Sequence, residues 1–306
     1  MLQPLSLKKG DKVTIVSTAR KISQEEVWPA IELLESWGLK VEPGSYLFEE
    51  ENQFAGSAET RAIAFQEAID DEKCKAVICA RGGYGTVQII DRIDFSKFKE
   101  NPKWILGYSD VTVLHNHLQE LIKSESLHAT MPINFPKNGS DDNATLSLKQ
   151  ALFGEQLAYD FNALPNSLLA DGVFEGRVVG GNLSILYSLT GTISQIDTRG
   201  NILFFEDLDE YLYHIDRVMM NLKRASMLDH CSAILVGGMS DMHDNTVPFG
   251  ETAEEIILRN TKEFGYPVIF GFPAGHIEEN LALIMGRKAK LSIKGKQVNL
   301  SFNGRA

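Results

Sequence analysis

The run Trp104-Ile105-Leu106-Gly107-Tyr108-Ser109-Asp110 decides how the first half of this chain is read. Its apolar start is strand-like, and a helical pattern follows. Val111, Leu114, Leu118 and Leu121 fall at i, i+3, i+7 and i+10, one face of a helix. A serine at such a junction has two readings. It is a favoured N-cap, and an aspartate in the first turn suits the helix dipole. It is also where a hydrolase holds its nucleophile, the hydroxyl projecting from a tight turn beside free backbone N–H groups. The run is not a G-x-S-x-G elbow, because Val111 stands where the last glycine would be.

The same alternation repeats upstream. Residues 12–17 read as a buried strand. Ser23 with Glu26 is a capping-box signature for a helix that stops at Gly38, with Pro29 as a candidate kink. A strand over 39–41, a helix over 58–70 and a strand over 76–80 follow. The turn Arg81-Gly82-Gly83-Tyr84-Gly85 and a helix over 86–93 come next. Such βαβα order implies α/β architecture, a mainly parallel sheet with ligands bound at the carboxyl ends of its strands. The glycine-rich turn and Ser109 both lie at such ends.

Downstream, the polar loop 136–143 and a short helix lead into irregular sequence, and the domain boundary is placed there, giving 1–160 and 161–306. The second part reads as a smaller mixed α/β domain. Its strand over 201–205 ends at Glu206-Asp207. Its last stretches, 281–284, 289–293 and 298–302, suit antiparallel hairpins.

The 306 residues are 43% hydrophobic and 23% charged, with a net charge of −11. That balance argues against nucleic acid as a partner. No apolar stretch is long enough to cross a bilayer. Cys74, Cys79 and Cys231 form no disulfide framework, and the first residues carry no long apolar leader, so a cytoplasmic setting is expected.

A serine nucleophile needs a base and a group that orients the base. His115 and His117, at i and i+2, point apart and make a poor metal pair. His243, within Ser240-Asp241-Met242-His243-Asp244, reads as part of a solvated loop rather than a metal site. His276 follows an apolar strand through Gly271-Phe272-Pro273-Ala274-Gly275, as a site base or a turn histidine. Glu206 sits at a strand end, as the orienter of a histidine or a helix-start carboxylate, with Asp207 as its rival. The glycine-rich turn lacks both the dinucleotide and the P-loop patterns. Its N–H groups suit an oxyanion, and Arg81 suits a substrate carboxylate or a surface acid.

Taken in order, Ala80-Arg81-Gly82-Gly83-Tyr84-Gly85, Gly107-Tyr108-Ser109-Asp110, Gly180-Gly181-Asn182-Leu183, Phe205-Glu206-Asp207 and Phe272-Pro273-Ala274-Gly275-His276 change the reading. The set resembles the L,D-carboxypeptidase family of serine peptidases, which includes muropeptide L,D-carboxypeptidases and microcin C immunity proteins. The resemblance spans residues 12–293. It implies Ser109 as nucleophile, Glu206 as orienter and His276 as base. It also implies a flavodoxin-like N-terminal domain, a distinct C-terminal domain, and a site in the cleft between them. The family substrate is a cytoplasmic muropeptide tetrapeptide of cell-wall recycling, from which terminal D-alanine is released. A homodimer without metal or organic cofactor is implied too. On this reading the N–H groups of Gly82 and Asp110 form the oxyanion hole, and Arg81 and Tyr84 bind substrate. One departure stands out: Ser17-Thr18-Ala19-Arg20 replaces an Ala-Pro-Ser-like turn common in the family, placing Arg20 at the rim. Two rival readings remain. One keeps the triad but hydrolyses aminoacyl-sulfamoyl-adenosine amides. The other is a non-catalytic two-lobed binding protein with an unreactive Ser109.

Overall fold

Apolar, β-branched runs in the first half form five strands in the computed structural model, which describes residues 1–304. They are β1 (Lys12–Val16), β2 (Lys40–Pro43), β3 (Cys74–Cys79), β4 (Trp104–Gly107) and β5 (Ser126–His128). All run parallel, in the order β2-β1-β3-β4-β5. This is the flavodoxin-like winding, in which the strand order reverses beside β1 and β3 and opens a crevice there. Val13, Ile15, Val77, Ile78, Ile105 and Leu106 are fully buried, as central strands covered on both faces require.

The helices follow their caps. α1 (Gln24–Ser36) opens on the Ser23–Glu26 capping box and runs unbroken through Pro29, and α2 (Ala58–Asp70) is capped by Ser57. The helix expected over 86–93 is instead two 3₁₀ turns, Thr86–Gln88 and Ile90–Arg92. The reason is local: the Thr86 N–H donates to the Asp110 carboxylate at 2.8 Å, which fixes the turn from outside. α3 (Ser96–Glu100) is short. After β4, a 3₁₀ turn Ser109–Val111 feeds α4 (Thr112–His117) and then a π turn, Leu118–Ile122. A π turn adds one residue to the helical register. Leu121, expected on the buried face, is therefore 42% exposed, and Ile122 takes its place.

After α5 (Asn143–Phe153), the second half supplies β6 (Ala158–Asn162), β7 (Gly172–Asn182), α6 (Leu183–Ser188), β8 (Ile202–Leu208), α7 (Leu212–Arg224) and β9 (Ala233–Ser240). α8 (Ala253–Thr261), β10 (Val268–Phe270), β11 (Leu283–Met285), β12 (Lys288–Lys294) and β13 (Gln297–Phe302) complete it. Seven of these strands form a sheet in the order β10-β9-β8-β7-β12-β13-β6. It is parallel from β10 to β7 and antiparallel beyond. β7 is long enough to serve both parts: residues 172–177 pair with β12 and 178–182 with β8. β12 and β13 make the expected antiparallel hairpin.

The halves interlock. A boundary at residue 160 falls within β6, which belongs to the second sheet. β11, from the C-terminal half, pairs antiparallel with β5 at the edge of the first sheet. Leu106, Leu127, Phe204, Leu235, Phe272 and Leu283 belong to one contiguous apolar cluster. The nearly buried Glu125 and Arg287 pair at 2.6 Å across the same seam. All three cysteines are free and buried. No described helix is long and apolar enough to cross a membrane.

Candidate active site

Ser109 leaves β4 with φ of +62°. A side chain held in that left-handed region costs about 1–3 kcal/mol, and such strain gathers where a fold aims a particular group. The capping reading fails here. The N-cap position of the following turn belongs to Tyr108, and no side chain caps it. The Ser109 hydroxyl has no hydrogen-bond partner among the described residues and is only half-buried.

The glycine-rich turn presses on this serine. A Cβ added to Gly82 would stand 2.9 Å from Ser109 Cβ and 3.0 Å from its Oγ, so only glycine permits the approach. The N–H groups of Gly82 and Asp110 have no intramolecular acceptor among the described residues, which leaves both able to donate to a developing oxyanion. The Asp110 side chain does something else. Burial holds its carboxyl above the ordinary carboxylate range, and the Thr86 hydrogen bonds and the Arg61 charge offset only part of that. Arg61 is itself 2% exposed and donates to Thr18 O at 2.8 Å and Gly85 O at 2.9 Å. Together they lock the turn that carries Gly82.

Glu206 lies fully buried in β8, where the pairing with β9 shifts register between Phe205 and Asp207. Its Oε2 accepts from His276 Nδ1 at 2.7 Å and from the His276 backbone N–H at 3.1 Å. Its Oε1 accepts from Asn182 Nδ2 at 3.3 Å. Asp207, the rival orienter, faces away from the imidazole. It accepts from Asn182 Nδ2 at 2.9 Å, from Ser184 N–H at 3.0 Å and from Ser184 Oγ at 2.8 Å. Burial, then the charge of Glu206, pushes Asp207 up to about 6.

His276 reaches Glu206 because Gly275 lets it. Gly275 has φ of +107°, and a Cβ there would stand 2.6 Å from Glu206 Cβ and 2.7 Å from Oε2. Ser240 Oγ donates to His276 O at 2.8 Å and fixes the loop to β9. The imidazole packs on the Tyr108 ring, centroids 4.8 Å apart, and so stands beside the residue that precedes Ser109. With Nδ1–H given to Glu206, Nε2 is the free acceptor. Burial lowers the His276 pKa, but the hydrogen bond and charge of Glu206 and the charge of Asp207 outweigh it, and the net shift is upward.

The other expected residues lie further out. Arg81 donates to Lys21 O at 3.4 Å and stands 3.8 Å from the Glu26 carboxylate, so its guanidinium is turned to the α1 entrance. Tyr84 is 49% exposed, with its ring 6.2 Å from that of Phe54. His115 is a buried strut, bonded to Ser126 Oγ at 2.8 Å and Gly107 O at 2.9 Å. His243 pairs with Asp209 at 2.5 Å. A cavity of about 640 Å³ lined by Asp160, Phe161, Lys294 and Asn299 opens at the antiparallel end of the second sheet and includes none of the site residues. Sequence reasoning quoted Asn182 within a motif but gave it no role; it holds both carboxylates, and its N–H donates to Thr112 Oγ1 at 2.9 Å, joining β7 to α4. The signal was its place: a polar residue after two glycines at a parallel strand's carboxyl end.

Comparison with known proteins adds the relatives of this arrangement. The family model described as LD-carboxypeptidase N-terminal domain matches residues 13–129, and that of the LD-carboxypeptidase C-terminal domain matches residues 175–291. A probable murein peptide carboxypeptidase of Bacillus subtilis (strain 168) is 35% identical, over 96% of this chain and 92% of its own. The crystal structure of a muramoyltetrapeptide carboxypeptidase from Oxalobacter formigenes superposes with a TM-score of 0.86 at 25% identity, covering 95% of this chain and 98% of that one. The microcin C7 self immunity protein MccF in complex with aspartyl sulfamoyl adenosine shares the fold, with a TM-score of 0.87 at 23% identity, covering 100% and 99%.

Proposed function

Because this chain belongs to the LD-carboxypeptidase family, we propose that it is a serine-type peptidase that releases the terminal D-alanine of muropeptide tetrapeptides. One observation carries the reading: a buried carboxylate, Glu206, accepts from both the ring Nδ1 and the backbone N–H of His276, whose ring packs on Tyr108, the residue before a strained Ser109 with no hydroxyl partner among the described residues.

The chemistry follows from that geometry. His276 Nε2 takes the Ser109 proton as Oγ attacks the scissile carbonyl carbon. Glu206 holds the imidazole in one tautomer and stabilises the imidazolium. The tetrahedral oxyanion is met by the N–H groups of Gly82 and Asp110, each such donor contributing about 3–4 kcal/mol. His276 then passes its proton to the departing amine, and the C–N bond breaks to leave an acyl ester on Ser109. A water gives its proton to His276, attacks the ester and frees the tripeptide, and the proton returns to Oγ.

The murein and muramoyltetrapeptide names of the relatives support the substrate class. The three free, buried thiols support a reducing compartment, and hence cell-wall recycling in the cytoplasm. The family resemblance adds a homodimer. Two substrates offered side by side test the substrate. A defined tetrapeptide should yield D-alanine far faster than an aminoacyl-sulfamoyl-adenosine amide is split. Preference for the nucleoside amide would transfer the triad to that substrate, and hydrolysis of neither would leave a binding protein.

A further inference from the structure

An enzyme that removes one terminal residue must hold a free carboxylate one residue beyond the scissile carbonyl, and Arg81 is already committed to Glu26 and Lys21. Arg20 is not. It makes no ion pair and no side-chain hydrogen bond among the described residues, and it is exposed. Its backbone is nonetheless fixed. It bridges to Phe54, Ala55 N–H donates to Ala19 O at 3.1 Å, and Lys21 N–H donates to Gln53 O at 3.0 Å.

The side chain of Arg20 lies across Gly83. A Cβ on Gly83 would stand 2.2 Å from Arg20 Cδ and 2.4 Å from Cγ. One residue earlier, a Cβ on Gly82 would stand 3.0 Å from Ser109 Oγ. Successive Cα atoms are about 3.8 Å apart. The stem of Arg20 and the hydroxyl of Ser109 thus rest on neighbouring glycines, separated by one peptide unit. The scissile carbonyl and the terminal carboxylate of a substrate are likewise separated by one residue. A planar guanidinium with no partner is matched to a carboxylate, which it takes through two parallel hydrogen bonds. The neighbouring cation Arg61 is buried against Thr18 O and Gly85 O and faces the inside of the turn.

We propose that Arg20 receives the free terminal carboxylate of the peptide and so restricts cleavage to the last residue. The proposal rests on Ser109 acting on a peptide with a free C-terminus. The test uses the full chain as wild type, Arg20→Gln and Arg20→Lys, each given a tetrapeptide ending in D-alanine and the same peptide ending in D-alanine amide. Hydrogen bonds to a charged group imply a loss of about 10- to 100-fold in kcat/KM for Arg20→Gln on the free acid, mostly through KM. On the amide the variant should match the wild type, so the preference for the acid disappears, and Arg20→Lys should recover part of it. The melting temperature should not move, because the side chain is exposed. Arg20→Gln that keeps the wild-type preference, or that loses equally on both peptides, overturns the proposal alone. A wild type that cleaves neither peptide overturns the reading of the site, and the proposal with it.

Discussion

At Ser109 the backbone conformation tells more than the residue type. Serine after a strand suits a cap, yet φ of +62° and an unpaired hydroxyl leave it uncapping and strained. Glu206 and Asp207 make the same point as a pair. They are adjacent in sequence and both are buried, but only Glu206 bonds to His276. Sequence position left them equal, because the register shift that parts them depends on how β9 meets β8. The raised pKa of His276 sets the pH behaviour. A base must be neutral to act, so kcat/KM should rise with pH through an inflection above the ordinary histidine value of 6.5. The stabilisation gained by the imidazolium is complete below that ordinary value and is lost as pH climbs through the folded pKa. Glu206→Gln should lower the inflection and cut kcat by something on the order of 10²–10⁴. Asp207→Asn should change kcat far less, and the reverse pattern in a pH–rate profile would make Asp207 the orienter.

Among the elements, the strands were legible and the turns were not. Apolar runs placed β1, β3, β4 and β8 within a few residues, because central parallel strands are apolar throughout. The helical face after Ser109 was read correctly through Leu118 and lost at Leu121, where a π turn shifts the register without a sequence marker. The stretch 86–93 looked helical because its periodicity is helical. Tertiary bonds from Asp110 hold Thr86 in a tighter turn instead. The loop before His276 shows how closely such turns are built. Gly275→Ala would put a Cβ against the Glu206 carboxylate at a positive φ. It should cost about 1–3 kcal/mol of stability and, by displacing His276, a larger share of activity. Thermal unfolding and kcat/KM measured together check this, and a variant unchanged in both would mean that the loop does not need the conformation seen.

Over the whole molecule, the site is made where two sheets meet. Ser109, Gly82 and Asp110 come from the flavodoxin-like sheet, whereas Asn182, Glu206 and His276 come from the mixed one. The seam is more than a contact. β11 crosses back to the first sheet, one apolar cluster runs through both, and Asn182 bonds to Thr112, three residues after Ser109. The ordered motifs singled out Ser109, Glu206 and His276, but not this interlocking, since no local pattern says that residues 283–285 will pair with 126–128. The central claim is that Ser109 becomes a nucleophile because the second sheet delivers His276 to it. Release of D-alanine from a defined tetrapeptide, by the wild type and by Ser109→Ala, tests it most directly. The account predicts a fall in kcat on the order of 10⁴–10⁶ with the fold intact by circular dichroism. Wild-type turnover by Ser109→Ala would contradict it.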